Sequence, residues 1–246
     1  MTRLVARAVL LSIALGTAAF AQTASAPNLT GAWVPMGAGR GADPKLAPPP
    51  AGPVVLKPAY AKEYDARRAA DAEATRRGEP PASDAVLCRP YGMPRMMAVA
   101  TYPVEILPTP GQITIVTEAF SEVRRIFLNQ PQLPIDEVPP GYYGHSVGRW
   151  EGDTLVIDTV GIKESVPGYN GIPHSAQMRI TERIRLAPDN PDTLLVEMTM
   201  EDPEALAAPY RRTHSFKRER DWNLMEFICA ENDRNPLGQD GLTQFE

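Results

Sequence analysis

The sequence predicts a mainly β fold in which one antiparallel sheet closes on itself as a meander barrel. From residue 104 onward, short segments of alternating apolar and polar residues are separated by turn residues, which is typical of strands joined by hairpins. Closing such a sheet leaves few unpaired edges, so a barrel is the expected arrangement. A chain of 246 residues buries one substantial core, which favours a single domain.

The N-terminus predicts a secretory signal peptide over residues 1–21. Arg3 and Arg7 precede a short apolar run, and Ala19 and Ala21 form a small-x-small cleavage site after Ala21. We therefore expect a periplasmic or secreted protein without a membrane anchor after cleavage. An uncleaved N-terminal anchor is the alternative.

Residues 22–103 are expected to wrap around the barrel and to pack with it as one domain. The first part is rich in Pro, Gly and Ala and holds one predicted strand, at 29–35. A helix is predicted from 59 to 77, because Pro58 suits a first helical turn and Gly78 suits a C-cap.

The barrel itself is assigned to residues 104–246. Its candidate strands share period-two alternation and turn residues at both ends. They are 104–107, 112–118, 121–128, 144–150, 154–160, 177–186, 193–201, 210–217 and 223–229, with 29–35 added from the N-terminal part.

Charge and cysteine content restrict the partners and the compartment. The formal net charge is −5 with acids and bases interspersed, which gives no basis for binding nucleic acid. Cys88 and Cys229 are the two cysteines, and in a secreted protein they predict one disulfide from the segment before the sheet to its last strand. A redox or nucleophilic cysteine is the alternative.

The run GHSVGRWEGDTLVIDT, residues 144–159, predicts a β-hairpin turning at Gly152. Folding about Gly152 pairs Arg149 with Leu155, Val147 with Ile157 and His145 with Thr159, all on one face. Trp150 and Asp158 share the other face. His145 then lies at the far end from the turn, where side chains line a barrel mouth.

A carboxylate stands in the middle of an apolar strand face. In residues 178–186 the inward set is Met178, Ile180, Glu182, Ile184 and Leu186. In the next strand the inward set is Leu194, Val196, Met198 and Met200. The following strand carries Tyr210, Arg212, His214 and Phe216 on one face, which is expected to be the inner one.

An inward Glu182 needs a partner or a raised pKa, because an unpaired buried charge costs several kcal/mol. Arg212 and His214 are the expected partners. One interpretation is a structural Glu–Arg bridge that fixes the register. The other is a carboxylate and an imidazole that act as general acid and base in an apolar cavity. A register error that exchanges the two faces is the third possibility.

The three histidines, His145, His174 and His214, are each followed by serine, but neighbours on a strand point to opposite faces. No G-x-S-x-G elbow occurs, so a serine hydrolase is not indicated, and phosphate-cradling glycine loops are absent. A three-histidine metal site remains an alternative. Our expectation is that the protein uses no cofactor and no metal.

Gly31-Ala32-Trp33, ahead of a strand-rich remainder, resembles the Gly-x-Trp that opens lipocalin-type (calycin) barrels. The resemblance implies a lipocalin-like barrel in which Trp33 closes the base. It also implies that a basic side chain from a late strand, Arg212 or Arg218, packs over Trp33.

A second resemblance covers most of the chain after residue 21. The hairpin run GHSVGRWEGDTLVIDT, PHSAQMRITERIRL, CRPYGMPRMM and FICAENDRN resemble segments of a large group of secreted bacterial proteins of unassigned function. The resemblance implies a shared fold and a shared site at His145, Trp150, Asp158, His174 and Glu182.

These observations together predict an acid–base enzyme, such as a lyase, isomerase or dehydratase, acting on a hydrophobic small molecule in the barrel cavity. Glu182 is the expected acid or base, His145 and His174 its proton partners, and Arg212 or His214 the group that stabilises negative charge. A non-catalytic carrier and a surface interaction module are the alternatives. The expected ligand contacts are Trp150, Asp158, Tyr210, Phe216, Met178 and Met198.

Overall fold

The structure is a computed structural model, and it describes residues 26–36, 52–79, 88–98 and 102–229. The predicted signal peptide at 1–21, much of the Pro-rich segment and the residues after 229 lie outside these ranges. Within them, one α-helix lies in the sequence between the first strand of a sheet and its other strands.

Nine strands form a closed barrel in which each strand pairs with the next and the first pairs with the last. The mainly β, barrel-shaped, lipocalin-like fold is therefore confirmed. The strands are β1 (Gly31–Pro35), β2 (Val104–Thr109), β3 (Gln112–Thr117), β4 (Glu122–Leu128), β5 (His145–Glu151), β6 (Thr154–Val160), β7 (Arg179–Ala187), β8 (Asn190–Glu201) and β9 (Tyr210–Glu219).

One strand pair departs from the predicted antiparallel meander. β4 and β5 run parallel, with Ile126 opposite Ser146 and Leu128 opposite Gly148. A parallel pair needs a connection that returns the chain to the starting end of the first strand, and residues 129–144 provide that length. All other neighbouring strands are antiparallel.

The predicted register of the β5–β6 hairpin is wrong by one residue. Glu151 pairs with Thr154, so Arg149 lies opposite Val156 and His145 opposite Val160. The turn consists of only two residues, with Gly152 at a φ of 64° in its first position, as a II′ hairpin requires.

The shift in hairpin register changes which side chains face the interior. Ser146 and Thr159 now hydrogen-bond each other inside the barrel. Asp158 faces outward instead and accepts a hydrogen bond from Arg149. His145 shares this outer face.

The predicted faces of the last three strands are confirmed. Glu182 is fully buried on β7, opposite Met198 of β8, and Met198 in turn lies opposite Arg212 of β9. The interior is filled mainly by branched aliphatic and sulfur-containing side chains. They include Trp33, Ile106, Ile115, Ile126, Ile157, Ile184, Val196, Met198 and Phe216.

The predicted disulfide between Cys88 and Cys229 is present, with a Cα–Cα distance of 5.7 Å. The predicted last strand at 223–229 is wrong, because this stretch forms no strand. Its apolar character serves packing instead, since the Phe227 ring contacts Phe120 and Tyr102.

The helix α1 (Pro58–Arg76) is attached to the barrel mainly at its N-terminal end. Leu56 forms a bridge with Leu206, and the Lys57 amide donates to the Ala205 carbonyl at 2.8 Å. Tyr64 packs against the core, but no residue of α1 is fully buried. No helix in the described ranges is long and apolar enough to cross a membrane.

Candidate functional site

A buried ion pair lies at the centre of the barrel. Nη2 of Arg124 on β4 contacts Oε2 of Glu182 at 2.5 Å, and both side chains are 0% exposed. The same guanidinium donates to Ser146 and Thr159 at 3.1 and 2.8 Å. These contacts join β4, β5, β6 and β7 across the interior.

The expectation that Glu182 pairs with Arg212 or His214 is therefore wrong. Arg124 holds Glu182 and also contacts Ser146 and Thr159 on the two strands between β4 and β7, whereas Arg212 lines a cleft. The pair is still not fully satisfied, since Oε1 of Glu182 and Nη1 of Arg124 are buried without a hydrogen-bond partner. Removing either partner would leave a buried charge alone.

Tyr169 and His214 form a second polar contact inside the barrel. Tyr169 lies in a single 3-10 turn, Tyr169–Gly171, and its hydroxyl is 3.2 Å from Nε2 of His214 and 3.0 Å from the Met198 sulfur. Burial, and to a lesser extent the charge of Arg212, lower the pKa of His214 to about 4. The imidazole is thus neutral at pH 7.

Arg212 extends from the interior toward the end of the barrel where β6 ends and β7 begins, which we call the upper end. Its guanidinium carbon is 4.5 Å from the centre of the Tyr169 ring, a cation–π contact. Burial, followed by the charge of Glu182, raises the pKa of Tyr169, so its ring stays neutral beneath Arg212. Arg212 forms no ion pair with any residue in the described ranges, and its Nε is buried without a partner.

A cleft of about 1310 Å³ opens at the upper end, between α1, the loops 88–98 and 164–174, and Arg212. We call it the helix cleft. Its walls carry five arginines against three carboxylates, so its charge is positive although the whole chain is negative. The arginines are Arg67, Arg68, Arg89, Arg95 and Arg212.

Arg67 of α1 reaches across the helix cleft to the turn that carries Tyr169. Its Nη2 lies 2.9 Å from the position that a Cβ would take at Gly171, which has a φ of 75°. A side chain at position 171 would therefore displace the guanidinium. Glycine at this position lets Arg67 approach the backbone of the turn.

The predicted proton partners His145 and His174 lie apart from Glu182. His145 stacks on Phe127 at 5.5 Å, on the outer face of the barrel, and contacts Gln132. His174 lines the helix cleft, but both ring nitrogens contact backbone carbonyls, those of Ser175 at 2.8 Å and Val166 at 2.6 Å. No ring nitrogen of His174 is left for a ligand.

The six predicted ligand contacts do not line the helix cleft. Asp158 faces outward, paired with Arg149 at 2.8 Å, because of the register shift. Trp150 packs at the edge of the core. The remaining four are core side chains: Met178, Met198, Tyr210 and Phe216.

The basic side chain over Trp33 is Arg218, whose guanidinium carbon is 4.1 Å from the indole centre. Arg218 also donates to the carbonyls of Thr30 and Asn28 at 2.5 and 2.8 Å. The choice left open between Arg212 and Arg218 is thereby decided. Arg212 is not used to close the base of the barrel.

The described residues contain no group of three or more His, Cys, Asp and Glu side chains close enough to hold a metal ion. The three histidines do not converge, because His145 faces out, His174 lies in a loop and His214 faces in.

Sequence reasoning missed Arg124, Arg67 and Tyr169. Arg124 and Arg125 are adjacent, and the surrounding apolar residues do not decide which of them faces inward. For Arg67 a signal exists, since Tyr60, Tyr64 and Arg67 recur at intervals of three or four and so share one helix face.

Comparison with known proteins leaves the family of the chain open. No protein-family model matches the sequence, and no curated protein is significantly similar to it.

Proposed function

We propose that the protein binds a small organic anion with an aromatic part in the helix cleft, as a carrier or binding protein of the periplasm. The observation that carries the proposal is Arg212, which lies against the Tyr169 ring in the cleft and has no carboxylate partner among the residues that the structure describes. A guanidinium in this setting offers a charged, bidentate contact to a carboxylate or phosphate.

The composition of the cleft supports this ligand class. Its volume, about 1310 Å³, is ample for a drug-sized molecule. Tyr60, Tyr91 and Tyr169 supply ring surface beside the arginines, which suits an aromatic group next to an anionic one. A purely hydrophobic ligand, as the sequence predicted, would desolvate Arg212 without supplying an opposite charge.

Acid–base catalysis on such a ligand is the second candidate, and His214 is the observation that favours it. Its pKa is lowered to about 4, so its imidazole is neutral at pH 7, and its Nε2 lies within hydrogen-bond distance of the Tyr169 hydroxyl. However, that hydroxyl contacts Met198 and the Pro94 carbonyl on the interior side, so a ligand on the ring does not reach it directly. Binding is therefore the function that the geometry supports better.

The test is calorimetric titration of the purified protein with benzoate and with benzyl alcohol, which has a similar ring but no charge. We expect benzoate to bind at least about tenfold more tightly, and Arg212→Gln to remove most of this difference. Arg185→Gln, at an outward arginine paired with Glu197 at 2.9 Å, is the matched control. Equal affinity for the two compounds would contradict the proposal.

A further inference from the structure

The helix cleft contains two arginines on one short turn. Arg212 lies against the ring of Tyr169, at 4.5 Å from its centre, and Arg67 lies against Gly171, two residues later. One guanidinium comes from β9 and the other from α1. The turn Tyr169–Gly171 thus brings together charges from elements that are distant in the sequence.

Within the described ranges, neither guanidinium forms an ion pair with a carboxylate. Glu63 and Asp71 lie one helical turn before and after Arg67, but neither forms an ion pair with it. Arg212 likewise has no carboxylate partner within the part of the chain that the structure describes. Two positive charges of the cleft therefore lie against the same turn.

From this arrangement we infer that the anionic group of the ligand is a phosphate group, bound between Arg67 and Arg212 over the turn Tyr169–Gly171. The inference rests on the proposed function and specifies its ligand class. A phosphate monoester carries up to two negative charges and three terminal oxygens, so it satisfies two guanidinium forks at once. A carboxylate carries one negative charge and two oxygens, which is enough to pair with one guanidinium group.

The site also links ligand binding to the position of α1. The helix is attached at the bridge between Leu56 and Leu206, and beyond Tyr64 it has no residue packed against the core. A phosphate between Arg67 and Arg212 adds a second point of attachment on the middle of the helix. Binding should then slow hydrogen exchange of the α1 amides around Arg67.

The experiment is calorimetric titration with phenyl phosphate, phenyl sulfate, benzoate and inorganic phosphate. We expect phenyl phosphate to bind at least about tenfold more tightly than phenyl sulfate or benzoate at pH 7.5, and to weaken below about pH 6 as it becomes a monoanion. Inorganic phosphate binding as tightly as the ester would assign the site to the free ion. Weaker binding of inorganic phosphate would assign it to a phosphate ester.

Arg67→Gln should lower the affinity for phenyl phosphate about tenfold or more and should lower the affinity for benzoate by a smaller factor. Arg76→Gln is the matched control, because Arg76 lies on the same helix, pairs with Glu73 and does not line the cleft. Circular dichroism checks that both variants keep the helix, and hydrogen exchange gives the second readout.

The outcomes separate the inference from the proposed function. Benzoate and phenyl sulfate binding as tightly as phenyl phosphate, or an Arg67→Gln variant that binds phenyl phosphate normally, would overturn the phosphate site while organic-anion binding stands. Failure of all four compounds to bind would overturn both.

Discussion

Two arginines of this protein, Arg124 and Arg212, extend from the inner face of the barrel but have opposite surroundings. Arg124 is fully buried and contacts Glu182, Ser146 and Thr159. Arg212 lies at a cleft, over an aromatic ring, and has no carboxylate partner among the described residues. The difference shows that facing inward does not by itself indicate a binding role. An arginine whose charge is paired within the chain is structural, whereas an arginine without such a partner is available to a ligand.

The largest effect on stability is expected from a substitution that breaks the buried ion pair between Arg124 and Glu182. Glu182→Gln leaves the charge of Arg124 buried without a counter-charge, so we expect the free energy of unfolding to fall by about 3–5 kcal/mol. Urea unfolding followed by circular dichroism measures it. Glu197→Gln, which removes an exposed partner of Arg185, should cost less than about 1 kcal/mol. A similarly small loss for Glu182→Gln would show that Arg124 does not depend on this carboxylate.

His214 is a second buried polar group inside the barrel, and its contribution to stability depends on pH. Its pKa is about 4 in the folded protein, below the usual value of 6.5. As the pH falls below 6.5 the unfolded chain takes up the proton first, so the stability that the neutral imidazole confers is complete above 6.5 and is lost toward pH 4. This contribution is about 3 kcal/mol at most.

The measurement is urea unfolding of the wild type and of His214→Gln at intervals between pH 7.5 and pH 4. Glutamine does not titrate, so the variant should lose less stability over this range than the wild type. Parallel pH dependence of the two proteins would show that His214 titrates normally in the folded state.

Arg218 tests a charge that is held by two backbone carbonyls, by the carboxylate of Asp192 and by the Trp33 ring. Arg218→Gln removes two hydrogen bonds to backbone carbonyls, an ion pair with the exposed Asp192 and the contact with Trp33. We expect the free energy of unfolding to fall by about 2 kcal/mol. The fluorescence of Trp33 should also change, although Trp150 and Trp222 contribute to the same signal. Comparing Arg218→Gln with its parent in a protein that also carries Trp150→Phe and Trp222→Phe isolates the fluorescence of Trp33.

The smallest effect on stability is expected for Arg212→Gln. Only the contact with the Tyr169 ring is lost within the described chain, so unfolding should become easier by less than about 1 kcal/mol. Thermal and urea unfolding check this value. A loss as large as that of Glu182→Gln would place Arg212 with the structural group and would remove the basis for an anion site.

The barrel and its inner faces were predictable where alternation is strict. In β7 and β8 nearly every second residue is large and apolar, and Glu182 is the exception that the pattern makes visible. The inner face of β9 alternates in the same way but carries Arg212 and His214 between Tyr210 and Phe216. The hairpin register was not predictable with the same accuracy. Glu151, Gly152 and Asp153 fit a two-residue or a three-residue turn, and the two choices exchange Asp158 between the faces.

The partners of the predicted groups depend on contacts between distant segments. Arg124 meets Glu182 inside a closed barrel although β5 and β6 lie between their strands, and no local sequence pattern contains this contact. The helix cleft depends on where α1 attaches. The apolar run at 223–229 resembles a strand although Phe227 is used for side-chain packing.

The disulfide joins Cys88 to Cys229, which are 141 positions apart in the sequence. The chain between them contains eight of the nine strands, β2 to β9. The barrel is therefore a covalent ring for most of its length. A protease that cuts one exposed turn, such as that at Gly152, opens the ring without releasing a fragment. The nicked protein will migrate as one species under non-reducing electrophoresis and as two after reduction, and it will survive cleavage events that would separate a linear chain into two parts.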